Sequence, residues 1–304
     1  MVRGYVPLLL IVAGIWGASY LFIKVAVREI EPTAMMDLRL IFAAIVLVPV
    51  LSWRVGARGA VHQLRSTGSG AFILGVSNMA LPFVLIAWGE KHIDSGVAAI
   101  ANATVPIFVA LLAIRFNPSE RVRGWRLVGV ALGLVGVGVL TGLHPQGGWW
   151  GVAGTLAVVV ASLSYASANL FAQHRFPGMA PLVITTASTL AAAAVLLPFA
   201  LVQLPESMPS WKAIASVAAL GIAGTALALL FFYAMLNRYG ASRSSLVTYL
   251  LPPFALFYGV VLLDESVRLN ALLGLLLILA GVALGSGFLQ LARRRTAAPA
   301  TPRP

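Results

Sequence analysis

From residue 7 to residue 291 the chain alternates between apolar runs and short charged or Gly/Pro-rich breaks. Most runs approach the roughly 20 residues of helix that a ~30 Å hydrocarbon layer requires. The pattern predicts ten membrane helices, over 7–27, 33–53, 69–89, 95–115, 125–142, 149–173, 179–203, 211–236, 242–263 and 269–291. The first run is too long for the apolar part of a signal peptide and no small-residue cleavage site follows it, so it is expected to be retained. The tail, 292–304, is rich in Arg, Ala and Pro and is expected to be a disordered cytoplasmic segment.

The pattern also repeats. With residues 74–106 set above 220–252, Leu74-Gly75-Val76 falls on Leu220-Gly221-Ile222 and Pro106 falls on Pro252. One residue out of that register, Glu120, Gly129 and Gly136 fall on Glu265, Gly274 and Gly281. Allowing for loop differences, Trp16-Gly17-Ala18 matches Tyr165-Ala166-Ser167, and Phe22 matches Phe171. The halves are about 1–145 and 146–291. Each holds five predicted helices, and an odd number sends the second copy into the membrane from the opposite side. The expected fold is therefore an all-α membrane protein, a 5+5 inverted repeat around a central cavity. Such repeats build alternating-access carriers whose substrate site lies near the midplane.

Composition supports lipid as the solvent: 60% of the 304 residues are hydrophobic and 10% charged, against roughly 25% charged in soluble domains. The net charge of +12 would suggest nucleic acid until its distribution is followed. One set of loops, with the amino terminus and tail, carries Arg3; Arg54, Arg58 and Arg65; Arg115, Arg121, Arg123 and Arg126; Arg175; Arg238 and Arg243; and Arg293, Arg294, Arg295 and Arg303. The opposite set carries Arg28, Lys91, Lys212 and Arg268 among seven acids, Glu29, Glu31, Glu90, Asp94, Glu206, Asp264 and Glu265. Positive loops stay in the cytoplasm, so both termini are expected inside, and no nucleic-acid partner is implied. There is no cysteine, and His62, His92, His144 and His174 are scattered. No metal centre, cofactor or catalytic triad is called for, and an enzyme is not expected.

Polar and aromatic residues at membrane depth must be satisfied inside the bundle or face a wet cavity. Trp16, Tyr20 and Lys24 are four apart and share a helix face. Trp16 and Tyr20 are either a cavity wall or packing at a tight crossing. Lys24 either snorkels to the headgroups, pairing with Asp37, or forms an outer gate with Asp37 and Arg39. The sixth helix carries the polar stripe Ser162, Tyr165, Asn169 and Gln173, which faces inward to bind substrate or to bond neighbouring helices. Asn78 and Asn102 are isolated amides whose unpaired burial would cost roughly 1–3 kcal/mol each. With Tyr233, Thr248 and Tyr249 they could ring one space, and Met79 would add adaptable apolar surface. Asp37 is the only acid placed within a membrane helix. Pro82, Pro106, Pro252 and Pro253 bend predicted helices and free carbonyls. Gly129, Gly133 and Gly136, with Gly274, Gly281 and Gly285, form small-residue seams that suit packing within the chain or in a homodimer.

The Trp16-Gly17-x-x-x-x-Phe22-x-Lys24 run, Pro32, Arg39, the paired Pro106 and Pro252, and the Glu120/Gly129 and Glu265/Gly274 spacings resemble the EamA branch of the drug/metabolite transporter superfamily over about residues 7–290. The resemblance implies a ten-helix carrier of the bacterial inner membrane that exports small metabolites such as amino acids, with Pro82, Pro106 and Pro252 as hinges. Tyr165 in place of Trp, and the lack of a second Arg39, imply a chemically unequal cavity. The expected cargo is small, neutral or zwitterionic, with aromatic or bulky apolar amino acids foremost. Nucleosides, sugars or drugs are alternatives, as is a non-transporting receptor or assembly factor.

Overall fold

Two of the expected spans contain a widened helical turn at the same register position. The computed structural model describes residues 4–116, 125–141, 148–239 and 247–285, and every regular element among them is helical. The first half runs α1 (Tyr5–Ala26), α2 (Pro32–Val55), α3 (Ala57–Ser66), α4 (Ser69–Gly75), α5 (Leu81–Glu90), α6 (Ser95–Asn102), α7 (Val105–Phe116) and α8 (Trp125–Thr141). The second runs α9 (Trp149–Arg175), α10 (Pro181–Val202), α11 (Trp211–Gly221), α12 (Ala228–Tyr239), α13 (Val247–Leu263) and α14 (Leu269–Gly285). A π-turn, Val76–Ala80, joins α4 to α5, and another, Ile222–Leu227, joins α11 to α12. The six segments Tyr5–Ala26, Pro32–Val55, Ser69–Glu90, Trp149–Arg175, Pro181–Val202 and Trp211–Phe232 are long and apolar enough to cross a membrane. The other expected segments form shorter apolar helices, Ser95–Val109, Leu127–Leu140, Val247–Leu263 and Leu269–Leu284. The expected tail lies outside the described residues.

Local chemistry sets the helix boundaries. Pro32 and Pro181 open α2 and α10 in the first turn, where a missing N–H breaks no helical bond. Gly56, at φ 75°, lets the chain leave α2 and enter α3 directly. That basic stretch was expected to be loop. It is helical because Ala60 is buried beside Leu47 and Leu51 of α2 and Leu182 of α10, with Leu64 packing on the same cluster. The expected continuous helix 95–115 is broken at Ala103–Thr104. Pro106 sits just past the break, so the carbonyl of Asn102, four residues back, has no helical donor.

Small residues set the helix crossings. A Cβ on Gly75 would lie 2.7 Å from the carbonyl oxygen of Ser188 and 3.0 Å from the amide of Ala192. On Gly221 it would lie 2.5 Å from the carbonyl oxygen of Arg39 and 3.1 Å from the amide of Ala43. Backbone therefore meets backbone where α4 crosses α10 and where α11 crosses α2. The seam between α8 and α14 is built likewise. A Cβ on Gly136 would lie 3.0 Å from the carbonyl oxygen of Gly274, and one on Gly281 2.6 Å from that of Gly129. The glycine seams thus close α8 onto α14 of the same chain. Large apolar side chains such as Ile45, Phe199 and Leu276 point outward, while Thr185, Thr186, Ser188 and Thr189 of α10 are buried. Apolar outside and small or polar inside is the arrangement lipid selects.

Candidate functional site

The polar positions of α1, the first π-turn, α6, α9, the second π-turn and α13 converge on one cavity of about 440 Å³. Of the residues expected to contact substrate, Trp16, Tyr20, Asn78, Met79, Asn102, Tyr165, Asn169 and Thr248 line it. The π-turns account for part of this. A π-turn displaces one residue from the i→i+4 ladder, and here each bulge falls at the cavity wall. Trp16 Nε1 donates to the carbonyl of Gly224 in the second turn at 3.1 Å, and its ring lies 5.3 Å from that of Phe232. Thr225 of the same turn donates its hydroxyl proton to the carbonyl of Leu220 at 3.0 Å.

A chain of side chains fixes one wall. Asn102 Nδ2 donates to the hydroxyl oxygen of Tyr20 at 2.8 Å, and Asn102 Oδ1 lies 3.1 Å from Ser162 Oγ. Ser162 also reaches the Val158 carbonyl at 3.0 Å and the Asn102 carbonyl, left without a helical donor by Pro106, at 3.5 Å. Ser162 is therefore fully buried behind the wall and bonds helices to one another; it does not face the cavity. Asn78 and Asn169 differ: they line the cavity, and neither amide is hydrogen-bonded to another described residue.

The expected outer charge cluster is not assembled. Lys24 Nζ donates to the backbone carbonyls of Glu90 and Ile93, both at 2.7 Å, and so caps the C-terminal end of α5. It pairs with neither headgroup-level carboxylates nor Asp37. Asp37 is buried, with Oδ1 lacking a hydrogen bond. Arg39 lies two residues on, about 200° around the helix, and its guanidinium lines the cavity. Its Nε donates to Thr225 Oγ1 at 2.9 Å, and its Cζ stands 3.9 Å from the centre of the Phe83 ring. Glu90, expected in a loop, closes α5 fully buried, with neither carboxylate oxygen hydrogen-bonded.

Tyr249 packs against the main apolar cluster instead of lining the cavity. The side chain of Tyr233 lies outside the described residues. Pro82 and Pro106 fall in the first turns of α5 and α7, whereas Pro252 is inside α13. Sequence reasoning missed Thr185, Gly224, Thr225 and the apolar wall of Ile23, Phe83, Ile86 and Phe232. Thr185 belongs to a run of hydroxyl residues, Thr185-Thr186-Ala187-Ser188-Thr189, that a lipid-facing helix would not carry. That run was the available signal.

The expected outer ends are tied together, twice across the halves and once within the first. Glu29 accepts from the amide and hydroxyl of Ser210, each at 2.6 Å, which holds its carboxyl below the usual carboxylate range. Glu265 accepts from Ser95 N at 2.9 Å and Ser95 Oγ at 2.8 Å, at the start of α6. Lys91 pairs with Glu31 at 2.9 Å.

The sequence matches the model of the EamA-like transporter family twice, over residues 4–142 and 152–287. A Bacillus subtilis (strain 168) protein described as the uncharacterized transporter YoaV is 26% identical over 90% of this chain and 93% of its own length. A Salmonella typhimurium protein described as a probable amino-acid metabolite efflux pump is 28% identical over 92% of this chain and 93% of its own. A probable terminal-alkyne amino-acid exporter of Streptantibioticus cattleyicolor is 31% identical over 70% of this chain and 71% of its own. A solved crystal structure shares the fold with a TM-score of 0.65, over 97% of this chain and 99% of its own, at 19% identity.

Proposed function

The chain belongs to the EamA-like transporter family, and we propose that it is a ten-span inner-membrane carrier that exports small neutral or zwitterionic metabolites, foremost amino acids including aromatic or bulky apolar ones, by alternating access. The observation that carries this reading is the convergence of Trp16, Tyr20, Asn78, Asn102, Tyr165 and Asn169 on one cavity in a chain whose outer surface is apolar. Its volume of about 440 Å³ is within the roughly 300–1,000 Å³ of small-molecule sites, and aromatic walls with a few convergent polar groups suit such ligands. The relatives described as a probable amino-acid metabolite efflux pump and a probable terminal-alkyne amino-acid exporter favour that cargo. The alternation of positive loops supports cytoplasmic termini and, with two family matches in one chain, a reading of 1–145 and 146–291 as oppositely oriented halves.

On this topology Asn169 and Val247, which line the cavity, belong to the cytoplasmic side of their helices, and Trp16 to the middle of α1. The Glu29–Ser210, Glu265–Ser95 and Lys24–Glu90 contacts lie at the outer ends. This supports a carrier at rest with its outer side closed. Purified protein in liposomes loaded with labelled amino acids, nucleosides and sugars is expected to release the amino acids selectively. Tyr165→Ala and Asn169→Ala are expected to reduce that flux several-fold while the melting temperature stays near that of the parent. Absence of selective flux by folded protein would overturn the transport reading; undiminished flux in both variants would remove α9 from the site.

A further inference from the structure

We propose that Arg39 is the anion anchor of the central cavity, so that the cargo is a small organic carboxylate held through its carboxylate group. This rests on the transport reading and narrows it. Among the described residues that line the cavity, Arg39 is the only charged one. It is 6% exposed, yet it forms no ion pair with a described carboxylate. The two buried acids in reach of the cavity walls, Asp37 and Glu90, do not line it and do not pair with Arg39. A buried guanidinium with no carboxylate hydrogen-bonded to it is expensive to keep, and at membrane depth an ionisable residue marks a ligand path or a charge partner.

The guanidinium is also aimed. Thr225 has its proton committed to Leu220, so its oxygen can only accept, and it holds Arg39 Nε at 2.9 Å. Phe83 lies against the guanidinium carbon at 3.9 Å and fixes its plane. Nη1 reaches only the Met36 sulfur, at 3.9 Å, which is too weak an acceptor to satisfy a cation. The Nη edge is thus left for a ligand, and a planar fork of N–H donors matches a carboxylate bidentately. The uncommitted amides of Asn78 and Asn169 line the same space. The cavity holds no fixed negative charge, so an organic cation would meet repulsion from Arg39 and no compensating carboxylate.

Binding to the full-length protein in detergent is measured by thermal stabilisation with L-phenylalanine, 3-phenylpropionate and L-phenylalaninamide. Flux of the same labelled compounds is measured in liposomes. The two acids are expected to bind at least roughly tenfold more tightly than the amide, the scale of one charge-assisted hydrogen-bond pair. Arg39→Gln is expected to abolish that preference. Arg39→Lys, which keeps the charge without the fork, is expected to keep the preference with several-fold weaker acid binding, and decides the matter should the Gln variant not fold. Equal binding of acid and amide by the parent protein, or unchanged acid binding in Arg39→Lys, would overturn the assignment while amino-acid flux leaves the transport reading standing. No flux or binding of any compound would overturn both.

Discussion

Asn102 joins α6 to α1 and α9 through one amide, so its removal tests how the cavity wall is held. Asn102→Ala deletes the 2.8 Å bond to Tyr20 and the 3.1 Å contact with Ser162. The two losses are unequal. Ser162 retains the Val158 carbonyl at 3.0 Å on its own helix, so its proton keeps an acceptor. The hydroxyl oxygen of Tyr20 loses its only donor among the described residues. A net hydrogen bond contributes about 0.5–1.5 kcal/mol, and side-chain bonds between membrane helices average about 0.6 kcal/mol with a maximum near 1.7. Together with the lost packing, Asn102→Ala should therefore cost about 1–2 kcal/mol, Tyr20→Phe about 1 kcal/mol and Ser162→Ala less than about 0.5 kcal/mol.

The assay is a double-mutant cycle in reconstituted or detergent-held protein, with unfolding followed by tryptophan fluorescence. Asn102→Ala and Tyr20→Phe should couple by roughly 0.6–1.7 kcal/mol, because either change alone removes the same bond. Additive effects within about 0.3 kcal/mol would mean that the bond does not hold the wall. A Ser162→Ala cost larger than that of Tyr20→Phe would refute the ranking.

Three further outcomes follow from other contacts. Gly281→Ala places a methyl group 2.6 Å from backbone atoms of Gly129 and Gly133, so it should cost about 1–3 kcal/mol through overpacking, whereas Gly138→Ala, which meets open space, should be neutral or gain up to about 1 kcal/mol; thermal melts of the pair check this. Lys24→Met leaves the carbonyls of Glu90 and Ile93 without their charged donor and should lower stability by about 1.5–3 kcal/mol, read as an earlier melt with the outer end of α5 exchanging hydrogen faster. His92 is held below the ordinary imidazole range by burial first and then by Lys91 and Lys24. A depressed folded-state value favours the neutral ring, so its contribution is fully present above the unfolded value of about 6.5 and is lost as pH falls through the folded value. The melting-temperature advantage of the parent over His92→Gln should therefore shrink on acidification below about pH 6.5, and an advantage that grew instead would refute the assignment.

Much of the frame was legible because lipid leaves few solutions. Apolar run length located most of the helical segments to within a few residues, and the amides inside those runs had nowhere to go but inward. Helix breaks were less legible. Pro106 signalled a bend in 95–115, but whether a proline kinks a helix or ends one depends on what takes the freed carbonyl, and Ser162 of α9 is sixty places away in sequence. The π-turns carried no signal in residue type, since Val76–Ala80 and Ile222–Leu227 share only apolar and small residues. The charges were misgrouped for a geometric reason. Asp37 and Arg39 are neighbours along the chain but project from different sides of α2, and Arg39 starts about 10 Å into the helix at 1.5 Å per residue. A side chain as long as arginine then reaches the cavity from a backbone position that looks peripheral.

The repeat separates frame from site more sharply than composition does. Positions that keep their residue in both halves build backbone contacts: Gly75 and Gly221 at the α4–α10 and α11–α2 crossings, Gly136 and Gly281 in the α8–α14 seam. Pro49 and Pro198, also in matching register, lie inside α2 and α10. In the same registers Trp16 stands over Tyr165, Tyr20 over Asn169, Asn78 over Gly224, Met79 over Thr225 and Asn102 over Thr248, and all of these line the cavity. Arg39 stands over Ser188, which is buried with its hydroxyl unbonded and does not face the cavity. The cavity therefore sits where the two halves meet, and its chemistry lies in their differences. The first half alone presents a cation and an indole, beside the amides of Asn78 and Asn102; the second presents Tyr165, the amide of Asn169 and the hydroxyls of Thr185, Thr225 and Thr248. A ligand bound across such a wall has one orientation, charged end toward α2 and the first π-turn. Removing one of these differences by Asn78→Ala should weaken selectivity, measured as liposome flux of the labelled panel, while leaving the glycine crossings that hold the fold untouched.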